Sequence, residues 1–235
     1  PDGSSIEIVA NTGGFTVGMA FDREGLLYVC DLGHKAVFRL DPKSKRLEQW
    51  ATGGDGRQIQ IPNYPVVDPV RNCLYVSDSH AFGTPGPGIW RFDLATGQGS
   101  LWYAETLNFA NGMALSLDRS TLYVVETFAR RISRIPILPD GSPGQIEVFI
   151  EGIERLPDGL ALDVQGNLYI ACYEPSRIFR ASPDGKLELL IDDPEAHTMC
   201  HPTNIAFRGT DLFTANLGRW HITQIPVGIE GAPLL

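Results

Sequence analysis

The chain has 235 residues, 43% of them hydrophobic and 20% charged, and carries a formal net charge of -9. That length suffices for one sizeable core or one closed repeat array. The acidic balance, with no basic stripe interleaved with aromatics, argues against a nucleic-acid partner, and no apolar run approaches the roughly 18 residues of a membrane span.

Residues 1–10, Pro-Asp-Gly-Ser-Ser-Ile-Glu-Ile-Val-Ala, read as the turn and outer strand of a blade whose three inner strands are absent. Either the chain is a fragment of a larger propeller, the favoured expectation, or this strand closes the last blade. Five similar strand starts follow: Val17-Gly-Met-Ala-Phe, Asn63-Tyr-Pro-Val-Val, Asn111-Gly-Met-Ala-Leu, Asp158-Gly-Leu-Ala-Leu and Asn204-Ile-Ala-Phe, at intervals of 46, 48, 47 and 46 residues. A period of that size built from short strands is the mark of propeller blades. Each start leads through a turn such as Asp22-Arg-Glu-Gly25 or Asp163-Val-Gln-Gly166 to an apolar strand carrying Tyr28, Tyr75, Tyr123, Tyr169 or Phe213. Third strands follow in segments such as Ala36-Val-Phe-Arg-Leu and Ile89-Trp-Arg-Phe, whose alternation suits half-buried strands. Fourth strands follow in segments such as Arg46-Leu-Glu-Gln-Trp and Ile146-Glu-Val-Phe-Ile. The expectation is an all-β chain, one β-propeller domain over residues 1–235, with about five blades of four antiparallel strands. Gly and Pro interrupt every window that could hold an amphipathic helix.

Cys30, Cys73, Cys172 and Cys200 are far apart in sequence and form no C-x-x-C pair, so buried free thiols are expected. With no signal peptide in view, the cytoplasm is favoured. His197-Thr-Met-Cys-His201 has metal-binding residue types but precedes Pro202 in a loop, which suits zinc poorly. No nucleophile elbow, P-loop or dinucleotide fingerprint is present.

Blades around an axis turn one sequence register into a ring, so Asn63, Asn111, Asp158 and Asn204 are expected to line one mouth of a central channel. The antiparallel return would bring the ends of the second strands, Asp31, Asp78, Glu126, Cys172 and Asn216, to the same mouth, where a concave small-molecule site is expected. Loops opening there carry His34, His80, Arg130, Glu174 and His221. Amide and carboxylate oxygens are hard donors that suit calcium or, with more water, magnesium or manganese. The alternative is that Asn111-Gly112 and Asp158-Gly159 simply form turns.

At these residues the chain resembles the SMP-30/gluconolactonase/LRE-like family of six-bladed propeller lactonases. The resemblance lies in Pro62-Asn63 with Val66-Val67-Asp68-Pro69 and Leu74-Tyr75-Val76-Ser77-Asp78, then Ala110-Asn111-Gly112-Met113-Ala114, Pro157-Asp158-Gly159-Leu160-Ala161 and Pro202-Thr203-Asn204-Ile205-Ala206-Phe207. It implies one divalent metal, calcium first, with zinc, manganese or magnesium as alternatives, held by Asn63, Asn111 and Asp158. The family's Glu-Gly-Pro ligand has no counterpart here, and Ile61 stands where the family often has an Arg. The implied activity is metal-dependent opening of a small lactone, sugar-acid or related, with Asp158 as general base and Asn63, His80, Glu126 and Arg130 contacting substrate. The rival expectations are a non-catalytic binding propeller and a strictosidine-synthase-like enzyme, for which Glu126 is the sole acid to hand.

Overall fold

A computed structural model of the protein describes residues 4–153 and 156–233. The described residues contain strands and no helix. Blade 1 comprises β1 (Thr16–Phe21), β2 (Leu27–Asp31), β3 (Ala36–Asp41) and β4 (Arg46–Ala51), after which a small hairpin pairs β5 (Gly53–Gly54) with β6 (Arg57–Gln58). Blade 2 is β7 (Pro62–Asp68), β8 (Cys73–Asp78), β9 (Gly86–Asp93) and β10 (Gly99–Leu107). Blade 3 is β11 (Ala110–Leu115), β12 (Thr121–Glu126), β13 (Arg131–Pro136) and β14 (Glu147–Ile150). Blade 4 is β15 (Pro157–Leu162), β16 (Leu168–Cys172), β17 (Arg177–Ala181) and β18 (Leu187–Asp192). Blade 5 has three strands, β19 (Pro202–Arg208), β20 (Asp211–Asn216) and β21 (Ile222–Pro226). Within each blade every strand pairs antiparallel with the next, as the repeat predicts.

Residues 4–10 behave differently from the expectation. They form no strand and neither extend a sheet nor close blade 5, and Ile6 and Ile8 are exposed. Without a neighbouring strand the backbone has nothing to pair with, so an apolar alternation there is not enough to make a strand. Pro1 to Gly3 of that segment lie outside the described residues.

The core sits between blades rather than inside one sheet. Tyr28, Cys30 and Val37 of blade 1 meet Val67, Leu74 and Trp90 of blade 2. Tyr75 and Ile89 meet Met113, Leu122 and Val124 across the next junction. Val125 and Ile132 face Leu160 and Ile170, and Tyr169 and Ile178 face Ile205 and Leu212. The sheets of blades 2, 3 and 4 therefore bury both faces, and all four cysteines are buried and form no disulfide. The strand-two tyrosines do more than fill space: the Tyr28 and Tyr169 hydroxyls donate to Asp22 and Asp163, which in turn accept from Leu26 N and Asn167 N and close the first turn of their blades. The inner strands pack in sequence, β1 on β7, β7 on β11, β11 on β15 and β15 on β19, and no comparable packing joins β19 to β1.

Every inner strand begins with a bulge. The pairing jumps from Thr16 to Met19, Pro62 to Pro65, Ala110 to Met113, Pro157 to Leu160 and Pro202 to Ile205, so two residues oppose one on the second strand. This register corrects one expectation. The first bulge residue is Val17, Asn63, Asn111, Asp158 and then Thr203, with Asn204 one place further on, beside Tyr64, Gly112 and Gly159. The sequence register slips here because blade 5 has no Gly after its ring residue, and Asn204 offers the more tempting match.

Candidate functional site at one mouth of the channel

The register pairs Pro62 with Asp78, Ala110 with Glu126, Pro157 with Cys172 and Pro202 with Asn216. The bulges and the ends of the second strands thus share one face of the disc. Asn63, Asn111 and Asp158 occupy the same bulge position on three consecutive blades, where a bulge re-aims a side chain away from the ordinary pleat.

Close approach of the inner strands explains the glycines that follow the ring residues. A Cβ on Gly112 would lie 2.3 Å from the Asp158 carbonyl oxygen, and one on Gly159 would lie 2.4 Å from the Thr203 carbonyl oxygen. Those glycines let one blade's ring residue set its backbone against the next blade, which is a packing role rather than a turn role.

Two hydroxyls repeat a clasp between blades. Asn63 Nδ2 donates to Ser79 Oγ at 3.0 Å, and Ser79 Oγ donates to the Ala110 carbonyl at 2.7 Å. Asn111 Nδ2 lies 3.2 Å from Thr127 Oγ1, which donates to the Pro157 carbonyl at 2.8 Å. Each asparagine is thereby oriented by a hydroxyl from its own second-strand end that also grips the backbone preceding the next ring residue. These hydroxyls, one place beyond Asp78 and Glu126, were missed in sequence because Ser and Thr after a strand read as ordinary loop starts.

Asp158 is half-buried, and its carboxyl is pushed from 3.8 up to about 7 by desolvation, partly opposed by a hydrogen bond from the Asn111 side chain. Tyr64, also missed, follows Asn63 in the bulge. Burial raises its phenol to about 12, and the charges of Asp158 and Cys30 push the same way, so it stays neutral near the site. It also lines a mainly apolar cavity of about 230 Å³ at the opposite end of the channel, bounded by Phe21, Leu115, Leu162 and Phe207. Tyr64 accordingly stands between the polar mouth and the apolar end.

The second polar tier is on the expected face but is engaged internally. Asp78 accepts from Gln60 N, Ile61 N, His80 N and Trp90 Nε1. Asp31 accepts from Phe15 N and His34 N, and Asn216 Oδ1 from Cys200 N. Glu126, 1% exposed, accepts from Asn108 N, Arg131 and Ser133; burial raises its carboxyl, but those bonds outweigh it and leave it below the usual range. These groups pin the segments entering β1, β7, β11 and β19. His80 lines a side cleft with Asp78, Trp90 and Arg57, and Arg130 is exposed on the β12–β13 loop. His201 and His197 pair with different carboxylates, Glu174 and Glu195, and do not converge.

The donor set fits a hard cation. Asn111 Oδ1 is buried with no hydrogen-bond partner, an unsatisfied oxygen on the residue that bonds Asp158. Asn204 Oδ1 is in the same condition one register away. Among the described residues no three His, Cys, Asp or Glu side chains gather to hold a metal, so amide oxygens would have to supply most of the ligands.

Residues 100–216 match the family model described as SMP-30/Gluconolactonase/LRE-like region, a span that includes Asn111 and Asp158 but not Asn63. Strictosidine synthase-like 6 of Arabidopsis thaliana is 31% identical over 180 residues, 72% of this chain and 47% of that protein. The lactonase drp35 of Staphylococcus saprophyticus is 30% identical over 209 residues, 80% of this chain and 61% of that protein. The chain thus spans about half to three fifths of the length of these curated relatives. A gluconolactonase structure from Xanthomonas campestris superposes with a TM-score of 0.78 at 23% identity, covering 94% of this chain and 75% of that one, and shows the same fold. Through residues 100–216 the chain belongs to the SMP-30/gluconolactonase/LRE-like family.

Proposed function

We propose that the protein is a metal-dependent hydrolase that opens a small lactone. The observation carrying this reading is the set of oxygen side chains at one bulge register of three adjacent blades, with Asn111 Oδ1 buried and unsatisfied beside a desolvated Asp158. Asn63, Asn111 and Asp158 would hold a divalent cation, most suitably calcium, which when bound supplies Lewis acidity toward a carbonyl oxygen. The chain's own residues do the rest. Asp158 takes a proton from water as the water oxygen bonds to the acyl carbon. It returns that proton to the ring oxygen as the acyl C–O bond breaks, leaving the hydroxy acid. Asn111 holds the carboxylate in place, Ser79 orients Asn63, and neutral Tyr64 bounds the site from beneath. Arg130 contacts substrate from the β12–β13 loop above, while His80 faces the side cleft and Glu126 sets the loop that leads into β11.

The similarity to a strictosidine synthase-like protein favours testing a condensing enzyme as well. Such chemistry would need Glu126 as its acid, yet that carboxylate is held ionised by Arg131 and Ser133. The deciding experiment is a lactone panel assayed by acid release, with chelated protein and with calcium, zinc, manganese or magnesium restored. Hydrolysis that disappears on chelation and returns with one cation is expected. Folded, cation-binding protein that opens no lactone above the buffer rate would instead support a non-catalytic binding propeller.

A further inference from the structure

The polar mouth is bordered by an aromatic ledge. Phe82 and Phe109 lie 5.0 Å apart between ring centroids, and Phe109 and Phe128 lie 4.7 Å apart. Phe82 is 76% exposed and Phe128 39%, whereas Phe109 at 8% forms the ledge's buried base. The phenylalanines come from two blades, Phe82 from the β8–β9 loop, Phe109 from the approach to β11 and Phe128 from the β12–β13 loop.

Each is tethered to the clasp that fixes the site. Phe128 directly follows Thr127, which contacts Asn111 and grips Pro157, and Thr127 N donates to the Phe109 carbonyl. Phe109 precedes Asn111 by two residues. Phe82 stands three residues beyond Ser79, the partner of Asn63. Phe109 also holds a φ of +62°, a left-handed conformation that a bulky side chain rarely adopts. Large apolar side chains exposed together beside a polar cleft mark a recognition surface rather than scattered surface residues.

We propose that this ledge seats the apolar substituent of the substrate, so that the preferred substrates are lactones bearing an alkyl or aryl group rather than polyhydroxylated sugar lactones. The inference rests on the hydrolase reading above: the ester group sits over Asn63, Asn111 and Asp158 while the substituent runs outward across Phe109 to Phe82 and Phe128. Each methylene buried there changes binding by about fourfold. A chain seated over only part of its length is therefore worth roughly tenfold or more.

The test compares δ-valerolactone, δ-decalactone and glucono-δ-lactone on the cation-loaded protein below their solubility limits. The expected result is a kcat/KM for δ-decalactone at least about tenfold above that for δ-valerolactone, carried mainly by KM. In the double variant Phe82→Ser, Phe128→Ser, checked for folding by circular dichroism, that ratio should collapse toward unity. Turnover that favours glucono-δ-lactone, or a δ-decalactone preference unmoved in the folded double variant, overturns the ledge while leaving the hydrolase reading intact. Failure to open any lactone removes both. The chain-length comparison on the unaltered protein decides the matter even should the double variant misfold.

Discussion

Replacing Asp158 by Asn should stabilise the cation-free protein at slightly alkaline pH and do little at acid pH. The carboxyl goes from 3.8 when unfolded to about 7 in the folded chain, raised by desolvation. A raised pKa means the folded state keeps a proton that the unfolded state has lost. Its contribution to stability is therefore full below about 3.8 and disappears as the pH rises through about 7. At about 1.4 kcal/mol for each tenfold change, ionising the folded group costs about 4 kcal/mol, an upper bound because solvent reaches part of the side chain. The substituted amide does not titrate and can still accept the Asn111 bond through its oxygen. Urea unfolding of both proteins in chelator, from about pH 4 to pH 8, should show their stability difference shifting steadily in favour of the variant and levelling off above about pH 7. Adding calcium should then favour the native protein, since the carboxylate gains a counter-charge. A difference that does not change with pH would refute the claim that burial raises this carboxyl.

Thr127→Val keeps side-chain shape but removes the donor to the Pro157 carbonyl and the partner of Asn111 Nδ2, so urea unfolding should report a loss of about 1–3 kcal/mol. A loss below about 0.5 kcal/mol, within the range of ordinary surface substitutions, would show that the clasp carries little. Gly112→Ala must push the Asp158 backbone away from a 2.3 Å contact, so it should cost about 1–3 kcal/mol and weaken calcium binding measured by calorimetry. Unchanged affinity in that variant would mean the close approach does not position the site. Asp158→Asn should lower lactone kcat/KM by at least about a hundredfold, while Asn204→Ala, off the ring register, keeps most of it. Equal losses in the two would place Asn204 in the site despite its register.

The blades were legible because their signal is periodic: one aromatic per second strand, and a polar start in four of the five first strands, recur with little drift. Asn63, Asn111 and Asp158 could be placed at one mouth by counting alone, since the repeat period and the antiparallel return set their strand starts beside Asp78, Glu126 and Cys172. Counting failed at Asn204, where a bulge leaves two residues opposite one and nothing in the sequence says which of them is first. Ser79 and Thr127 were hidden for another reason. Their importance lies in bonds to Ala110 and Pro157 of the next blade, and a contact between repeats leaves no trace in the pattern within one. The ledge of Phe82, Phe109 and Phe128 was invisible likewise, because it joins loops of two blades that share no sequence register.

The inner strands pack in sequence from β1 through β7, β11 and β15 to β19, so that blades 2, 3 and 4 each lie between two others. In a repeat array each unit is held chiefly by its nearest neighbours. Asn63, Asn111 and Asp158 belong to blades 2, 3 and 4, each flanked on both sides. The candidate cation site therefore draws packing support from a blade on either side, and amide exchange should be slow in β8, β12 and β16, the strands directly behind the site.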